Sequence, residues 1–220
     1  GEHVPPRPET PLDVAGRREQ RRARQQELAR EQLLDAAEEV FGAKGFHDTT
    51  LKEVAALAEY SVGSVYSFFD NKDDLFLSIW LRRGAEFTPG IEAVVAGATG
   101  ALDALHRIVD FEVGFFRDHP HFGRLYLRSA GTTVLSPEIP ASGELSANLQ
   151  RVISLQADVM GRGQEEGTIR PGDPWAMARV LSGLVQAFQG IDPEVVGGSS
   201  AGRMSLEELH AIVDGAFRVP

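Results

Sequence analysis

A short run of glycine and serine is the feature of this sequence most suited to chemistry. If residues 62–69 form a helix, Gly63, Ser64 and Ser67 share its outward arc, with Tyr66 at one edge. A plain surface helix would more usually carry lysine, glutamate and glutamine, whereas small side chains let base edges and phosphates come close. The pattern favours nucleic-acid recognition.

Two groups of basic residues could bind phosphates. Lys72 follows Asn71, a good N-cap, so it would begin a helix at the end where the dipole disfavours a positive charge. A phosphate bound at that end would reverse the effect. In addition, six arginines and two glutamates lie between Arg17 and Arg30, although the net charge of the chain is -10. A basic N-terminal segment on an acidic body suggests a nucleic-acid contact, with a solvated, disordered arm as the alternative.

Three short helices would position these residues. The first stops at Gly45, which suits the left-handed position after a last turn and lets Phe46 fold back onto the helix. The second opens with a capping box of Thr50 and Glu53, and Ser61 can cap the third. The side chains expected to face inward from the third helix are Val62, Val65 and Phe69. Two short helices joined by a turn of about three or four residues make a helix-turn-helix candidate.

The rest of the chain also has a helical pattern. Apolar residues recur at spacings of three and four, and no segment alternates as a strand does, so we expect an all-α fold of about nine helices. Residues 1–16 contain four prolines and are expected to be irregular. Helix breaks are expected at Gly45, Glu59–Ser61, Asp70–Asn71, Pro89–Gly90, His119–Pro120, Ser136–Pro140, Gly167–Asp173 and Asp192–Gly202.

Composition and motifs argue against several other classes of protein. The chain has no cysteine, and no apolar stretch approaches the roughly 18 residues that span a bilayer, so a cytoplasmic location without a membrane partner is expected. His119 and His121 have no further ligands at suitable spacing, so neither a metal nor a cofactor is expected. The glycine-rich residues 161–167 have the wrong spacing for a dinucleotide loop and follow no strand. With no nucleophile elbow or phosphate loop either, we do not expect an enzyme.

A dense set of residues between positions 33 and 76 matches a known pattern. They are Leu33-Leu34-Asp35-Ala36-Ala37, Phe41, Gly45-Phe46, Thr49-Thr50, Val54-Ala55, Ala58, Ser61-Val62-Gly63-Ser64-Val65-Tyr66-Ser67-Phe68-Phe69 and Asn71-Lys72-Asp73-Asp74-Leu75-Phe76. Together they resemble the DNA-binding domain of the TetR family of bacterial transcriptional regulators. Two residues depart from the family pattern: Glu59 replaces a glycine and Tyr60 a small aliphatic residue, both in the turn between the second and third helices.

The resemblance implies a homodimeric helical repressor whose third helix enters the major groove of a palindromic double-stranded DNA operator. It divides the chain into a disordered arm (1–26), a helix-turn-helix domain (27–71) and a helical ligand-binding and dimerisation domain (72–220) whose first helix is the connector. The DNA contacts expected from the family motif and the basic segment are Thr50, Ser61, Gly63, Ser64, Tyr66, Ser67, Lys72, Arg21, Arg22 and Arg24.

Within the C-terminal domain, aromatic residues are candidates for the wall of a ligand cavity, although each could equally be a core residue. They are Phe111, Phe115, Phe122, Tyr126 and Trp80. Because few charged residues are expected to face inward in this stretch, we expect a small, largely apolar ligand that releases the repressor from its operator.

Two apolar stripes, in residues 174–190 and 205–217, would pair with their symmetry mates in a four-helix dimer interface or else face the domain's own core. The interface residues expected are Leu181, Leu184, Phe188, Leu209 and Val213. A helical protein-binding adaptor is an alternative that would explain the acidic body but not the glycine–serine face. A regulator that needs no ligand is a second alternative.

Overall fold

The computed structural model describes residues 11–130, 142–198 and 202–220. Apart from an isolated bridge between Ile169 and Arg218, these residues contain no β-structure, so the all-α prediction is confirmed. The helices in this part of the chain are α1 (Pro11–Lys44), α2 (Leu51–Ala58), α3 (Val62–Phe68), α4 (Lys72–Ala96), α5 (Ala101–Asp118), α6 (Pro120–Ala130), α7 (Gly143–Glu166), α8 (Pro174–Gln189), α9 (Pro193–Val196) and α10 (Leu206–Phe217). They number ten rather than the expected nine, because α9 adds a single turn. The break expected at Ser136–Pro140 lies outside the described residues, and none of the described helices is long and apolar enough to cross a membrane.

Two apolar cores meet along α4 and α5. In the first, α1 packs on α2 and α3 through the fully buried Phe41, Val54 and Val65, and the core continues to Trp80 of α4 and Phe116 of α5. The second core lies among the end of α4 and helices α5, α7, α8 and α10. Its fully buried residues include Ile91, Leu105, Met160, Leu181 and Val213. The helix-turn-helix unit is therefore packed directly onto the C-terminal domain through α4.

The disordered arm expected over residues 1–26 is wrong for the part that the structure describes. α1 begins at Pro11 and runs without interruption to Lys44. Residues 17–32 are mostly arginine, glutamine, glutamate, alanine and leucine, all of which favour helix. The side chains of residues 14–28 are exposed, so this segment extends a helix that is anchored further along at Leu33. Residues 1–10 of the expected arm lie outside the described residues.

α4 continues through the break expected at Pro89–Gly90. A proline inside a helix costs about 3 kcal/mol, because it removes an N–H donor and its ring clashes with the preceding turn. Burial of Thr88 and Ile91 on either side offsets that cost. At Gly90 a Cβ atom would stand 2.5 Å from the Phe111 ring, so this glycine lets α4 and α5 approach closely rather than ending the helix.

The apolar stripes of α8 and α10 face the chain's own core, contrary to the interface prediction. Of the five residues expected at a dimer interface, Leu184 is half-buried, and four are buried within the single chain: Leu181, Phe188, Leu209 and Val213. A three-and-four spacing shows that a helix face is buried, but it does not show which partner covers it. The second possibility offered by the sequence, that the stripes face the domain's own core, is the one observed.

Candidate nucleic-acid interface and the buried aromatic cluster

Local capping positions the second helix of the helix-turn-helix unit. The Thr50 Oγ1 atom accepts a hydrogen bond from the Glu53 backbone N–H at 3.2 Å, and Glu53 Oε2 accepts one from the Thr50 N–H at 3.4 Å. This is the expected capping box. Glu53 also binds the Lys44 ammonium at 2.8 Å, and these hydrogen bonds from Lys44 and Thr50 lower the pKa of its carboxyl. The start of α2 is thereby tied to the end of α1, where Gly45 takes the expected left-handed conformation with φ of +84°.

The turn between α2 and α3 keeps its geometry despite the two departures from the family pattern. Glu59 adopts the left-handed conformation with φ 61° and ψ 39°, which a glycine adopts without a steric penalty. The Tyr60 hydroxyl donates a hydrogen bond to Gln32 Oε1 of α1 at 2.6 Å. The first departure therefore costs conformational energy, and the second ties the turn to α1.

We expect Glu59→Gly to stabilise the protein by about 0.5–1 kcal/mol, because relief of the left-handed strain outweighs the added backbone entropy of the unfolded chain. The change in midpoint in urea denaturation measures this effect. The control is Glu165→Gly on the exposed surface of α7, which has helical backbone and should lose about 1 kcal/mol. Destabilisation by both variants would contradict the assignment of strain to Glu59.

The third helix exposes its glycine–serine face. Ser61 caps α3, with its Oγ accepting from the Ser64 N–H at 3.1 Å, and Val65 is fully buried beneath the helix. Val62 was expected to face inward but is 37% exposed, because a seven-residue helix needs only Val65 and the cap residue Phe69 to fill the contact with the core. The residues expected to contact DNA that lie exposed or half-buried on this helix and its cap are Ser61, Gly63, Ser64, Tyr66 and Ser67.

Gly63 has no packing role within the chain. A Cβ atom at this position would meet only Ser61 Oγ, at the ordinary van der Waals distance of 3.8 Å. The hydroxyl of Ser67 donates to the Gly63 carbonyl at 3.0 Å, and Tyr66 is 55% exposed. The absence of a side chain at Gly63 therefore leaves space on the outside of the protein, where a partner would approach.

Lys72 lies at the start of α4 and close to the loop that precedes α2. Its Nζ atom is 3.4 Å from the His47 carbonyl oxygen and 4.3 Å from the centre of the Phe46 ring. The structure thus brings Lys72, at the N-terminus of α4, against the loop that leads to the Thr50 cap of α2.

A buried ion-pair cluster joins α1 to α4. Arg83 binds Glu38 with both ends of its guanidinium, Nε to Oε1 at 2.7 Å and Nη2 to Oε2 at 2.8 Å, and both residues are less than 9% exposed. Arg82 lies 2.7 Å from the same carboxylate and also binds Glu31 and Asp35 of α1. The sequence reasoning missed this cluster. The sequence indicates the cluster only through Glu38, which occupies a position in α1 where the three-and-four spacing would place an apolar residue.

The aromatic residues expected to line a ligand cavity do come together. Trp80 lies against Phe122 and Tyr126 with ring centroids 5.6 Å and 5.8 Å apart, and Phe115 contacts both Phe111 and Phe122. Phe87 and Phe116 complete what we call the aromatic cluster, at the junction of α4, α5 and α6. Two open clefts on the described surface lie elsewhere, one beside α7 and Trp175 and the other between α1 and the α2–α3 turn.

A buried charged residue, Glu112, lies near this cluster, close enough for its charge to affect Tyr126. Glu112 is 8% exposed, and Gln156 of α7 donates a hydrogen bond to its Oε1 atom at 2.8 Å. Burial raises the pKa of the Glu112 carboxyl to about 7. Spacing in the sequence indicates this burial, since Glu112 continues the apolar stripe formed by Ile108 and Val109.

Comparison with known proteins agrees with this geometry. The family model described as bacterial regulatory proteins, tetR family, matches residues 33–79. The chain is 25% identical over 156 residues to the HTH-type transcriptional repressor NicS of Pseudomonas putida, covering 68% of this chain and 69% of that protein. It is 23% identical over 177 residues to the HTH-type transcriptional regulator RutR of Escherichia coli, covering 80% of each.

The fold is also similar to that of solved structures. The crystal structure of AibR in complex with isovaleryl coenzyme A and operator DNA aligns with a TM-score of 0.70 at 17% identity, over 86% of this chain and 98% of that one. The relatives, each matched over more than two thirds of its length, and the shared fold agree with the family match, and residues 33–79 form a DNA-binding domain of the tetR family of bacterial regulatory proteins.

Proposed function

We propose that the protein is a DNA-binding transcriptional regulator that represses from a palindromic operator as a homodimer and is released by a small, largely apolar ligand. The observation that carries the proposal is the exposed glycine–serine face of α3 beside Lys72. A helix of this size fits the major groove, and a helix N-terminus with a lysine binds phosphate. The relatives named above are transcriptional regulators, and the proposal assigns the chain no catalytic step.

The proposed DNA contacts divide by role. Gly63, Ser64 and Ser67 would face base edges, whereas Tyr66 and Lys72 would hold phosphates and fix the orientation of α3. Thr50 and Ser61 would add contacts at the helix N-termini.

The arginines of α1 extend this surface along a helix rather than along a flexible arm. The Arg30 guanidinium lies 5.2 Å from the centre of the Phe69 ring, which fixes α1 against the end of α3. Residues 17 to 30 of a helix span about 20 Å, so Arg21, Arg22 and Arg24 would meet phosphates well away from the α3 contact.

We expect Gly63→Ala to weaken binding to DNA by at least about 10-fold, because the added methyl overpacks the contact with the groove. The free protein should not suffer, since nothing in the chain meets that methyl closely and alanine favours helix by up to about 1 kcal/mol. Genomic fragments selected by the wild-type protein serve as the DNA, and electrophoretic mobility shift measures affinity.

The matched control is Gly143→Ala, which also lies in the first turn of a helix behind a serine cap and also has open space around its Cβ position. It should leave DNA affinity unchanged. Equal affinity of both variants and the wild type would contradict the proposed orientation of α3.

For the homodimer, the exposed faces of α8 and α10 replace the buried residues that the stripes suggested. Trp175 and Val180 of α8 are 45% and 53% exposed, and Ile212 of α10 is 41% exposed. Ala176, Gly183 and Ala187 are exposed on α8, and Ala211 and Gly215 on α10. Small and apolar residues on two neighbouring helices suit close packing against the same face of a second copy, as a two-fold interface requires.

We expect Val180→Glu to convert the dimer into a folded monomer, because it would bury an unpaired charge at the proposed interface. Sedimentation velocity measures the oligomeric state and circular dichroism the helicity. Val196→Glu on α9, also an exposed valine, is the control and should stay dimeric. If Val180→Glu is also dimeric, the interface lies on another face.

The ligand would enter the aromatic cluster. AibR, which shares the fold, was solved with both isovaleryl coenzyme A and operator DNA bound. In this chain the aromatic cluster packs against Trp80 of α4, the helix that also carries Lys72 and the ion pair to α1. A ligand that parts these rings would therefore move α4 and the helix-turn-helix unit with it. It releases DNA only to the extent that it prefers the conformation that does not fit the operator.

A further inference from the structure

Polar side chains from four helices converge on one buried point in the C-terminal domain. Gln156 of α7 donates to Glu112 Oε1 of α5, and Ser182 of α8 in turn donates to Gln156 Oε1 at 3.0 Å. Gln189 of α8 donates to the Glu112 backbone carbonyl at 3.1 Å. Glu112, Gln156 and Gln189 are each less than 9% exposed. We call these residues, with Tyr126 of α6, the buried polar group.

The Glu112 carboxyl has few hydrogen-bond donors and no cation beside it within this group. Among the described residues, Gln156 is its only hydrogen-bond donor, and no lysine, arginine or histidine forms an ion pair with it. An ionised carboxylate can accept about four hydrogen bonds. A buried carboxylate is normally paired with a cation, because an unpaired buried charge is costly. The structure therefore holds unused capacity for a positively charged partner.

Aromatic residues lie near the same carboxyl. Phe115 and Phe116 follow Glu112 by three and four residues, so they lie on the same side of α5. The Phe116 ring is 5.2 Å from that of Tyr126 between centroids. Burial, and then the nearby Glu112 carboxyl, raise the pKa of the Tyr126 hydroxyl. A buried carboxylate near aromatic rings offers a charged hydrogen bond and cation–π contacts, the two interactions that bind ammonium groups.

One further polar atom near this site has no hydrogen-bond partner. The Trp80 indole N–H is buried without a hydrogen-bond partner, and its ring lies 5.8 Å from that of Tyr126. A donor without a partner and a carboxyl with spare acceptor capacity thus flank the same tyrosine. Both suit a ligand that brings its own polar atoms.

We propose that Glu112 anchors an amine, so that the ligand of this regulator is a cation with an aromatic or aliphatic body. This inference rests on the proposed function, because it names the chemical class of the ligand in the same domain. The ammonium would bond to the free acceptor positions of Glu112, and the body would part the rings of Phe116 and Tyr126. Because these side chains are packed together, the ligand must displace them to enter.

The test compares compounds that differ only in their polar group. We would use three sets with phenylethyl, indolylethyl and octyl bodies, each as the amine, the alcohol and the carboxylic acid with the same body. Isothermal titration at about pH 8, where Glu112 is ionised, measures affinity. In at least one set the wild type should bind the amine about 10- to 100-fold more tightly than the alcohol, and the acid least.

The variant Glu112→Gln keeps the shape and the hydrogen bond to Gln156 but removes the charge. It should lose the preference for the amine and bind the alcohol as the wild type does, with circular dichroism confirming its fold. The comparison of amine and alcohol on the wild type decides the matter even if this variant does not fold. Equal binding of amine and alcohol, binding of none of the compounds, or a preference that Glu112→Gln retains would each overturn the inference.

Mobility shift of genomic DNA by the wild type, without any ligand, separates this result from the proposed function. DNA binding without an amine preference overturns the amine inference and leaves the regulator intact. An amine preference without DNA binding supports the amine site and contradicts the regulator.

Discussion

Replacing Glu38 by alanine is expected to destabilise the protein by about 3–5 kcal/mol. Glu38 is 4% exposed and accepts two hydrogen bonds from Arg83, while Arg82 lies 2.7 Å from the same carboxylate. Its removal would leave the buried Arg83 with only the half-exposed Glu86, 3.3 Å from its Nη1 atom, and that loss exceeds the modest net contribution of the intact pair. The pair joins α1 to α4, so the contact between the two domains should weaken with it.

Urea denaturation of the full chain, at one protein concentration, measures this change in the free energy of unfolding. Glu39→Ala is the matched control, since the neighbouring glutamate is exposed on the same helix and should change stability by less than about 0.5 kcal/mol. A loss below about 1 kcal/mol in Glu38→Ala would show that Arg83 reaches water or another carboxylate when its partner is gone.

Glu112→Gln is expected to act in the opposite direction and to stabilise the protein by about 3 kcal/mol at about pH 8. The pKa of the buried Glu112 carboxyl is raised from 4.5 to about 7 by desolvation. Between these values the folded protein holds a proton that the unfolded chain has lost. Stability therefore falls as pH rises through this range, and the whole penalty is present above about pH 7. The neutral amide has no such penalty.

Denaturation at several pH values tests this sign directly. The stability advantage of Glu112→Gln over the wild type should be smallest near pH 4.5 and should grow until about pH 7. Glu165→Gln, at an exposed position on α7, should follow the wild-type profile. An advantage that is constant with pH would mean that Glu112 titrates near its ordinary pKa in the folded state. If Glu112 also binds an amine, its ionised carboxyl lowers the stability of the protein but provides the group that recognises the ligand.

The amino-acid sequence by itself determined the helix-turn-helix unit, because the interactions that define it are local. The Thr50–Glu53 capping box, the Ser61 cap and the left-handed Gly45 each involve atoms within a few residues of one another. Such contacts depend on side-chain type and spacing alone, so the residues predict them directly. The helical character of the C-terminal domain followed in the same way from the spacing of apolar residues.

Tertiary structure alone decided what each helix face meets. The two stripes, one with Leu181 and the other with Val213, could have covered a second copy or the chain's own core, and only packing assigned them to the core. α4 passes Pro89 because burial against α5 outweighs one lost hydrogen bond. Glu38 and Glu112 both stand at apolar spacing, yet one binds two arginines and the other a single glutamine. Partners so distant in sequence are brought together by packing, and a buried charge acquires its role from the partner that packing supplies.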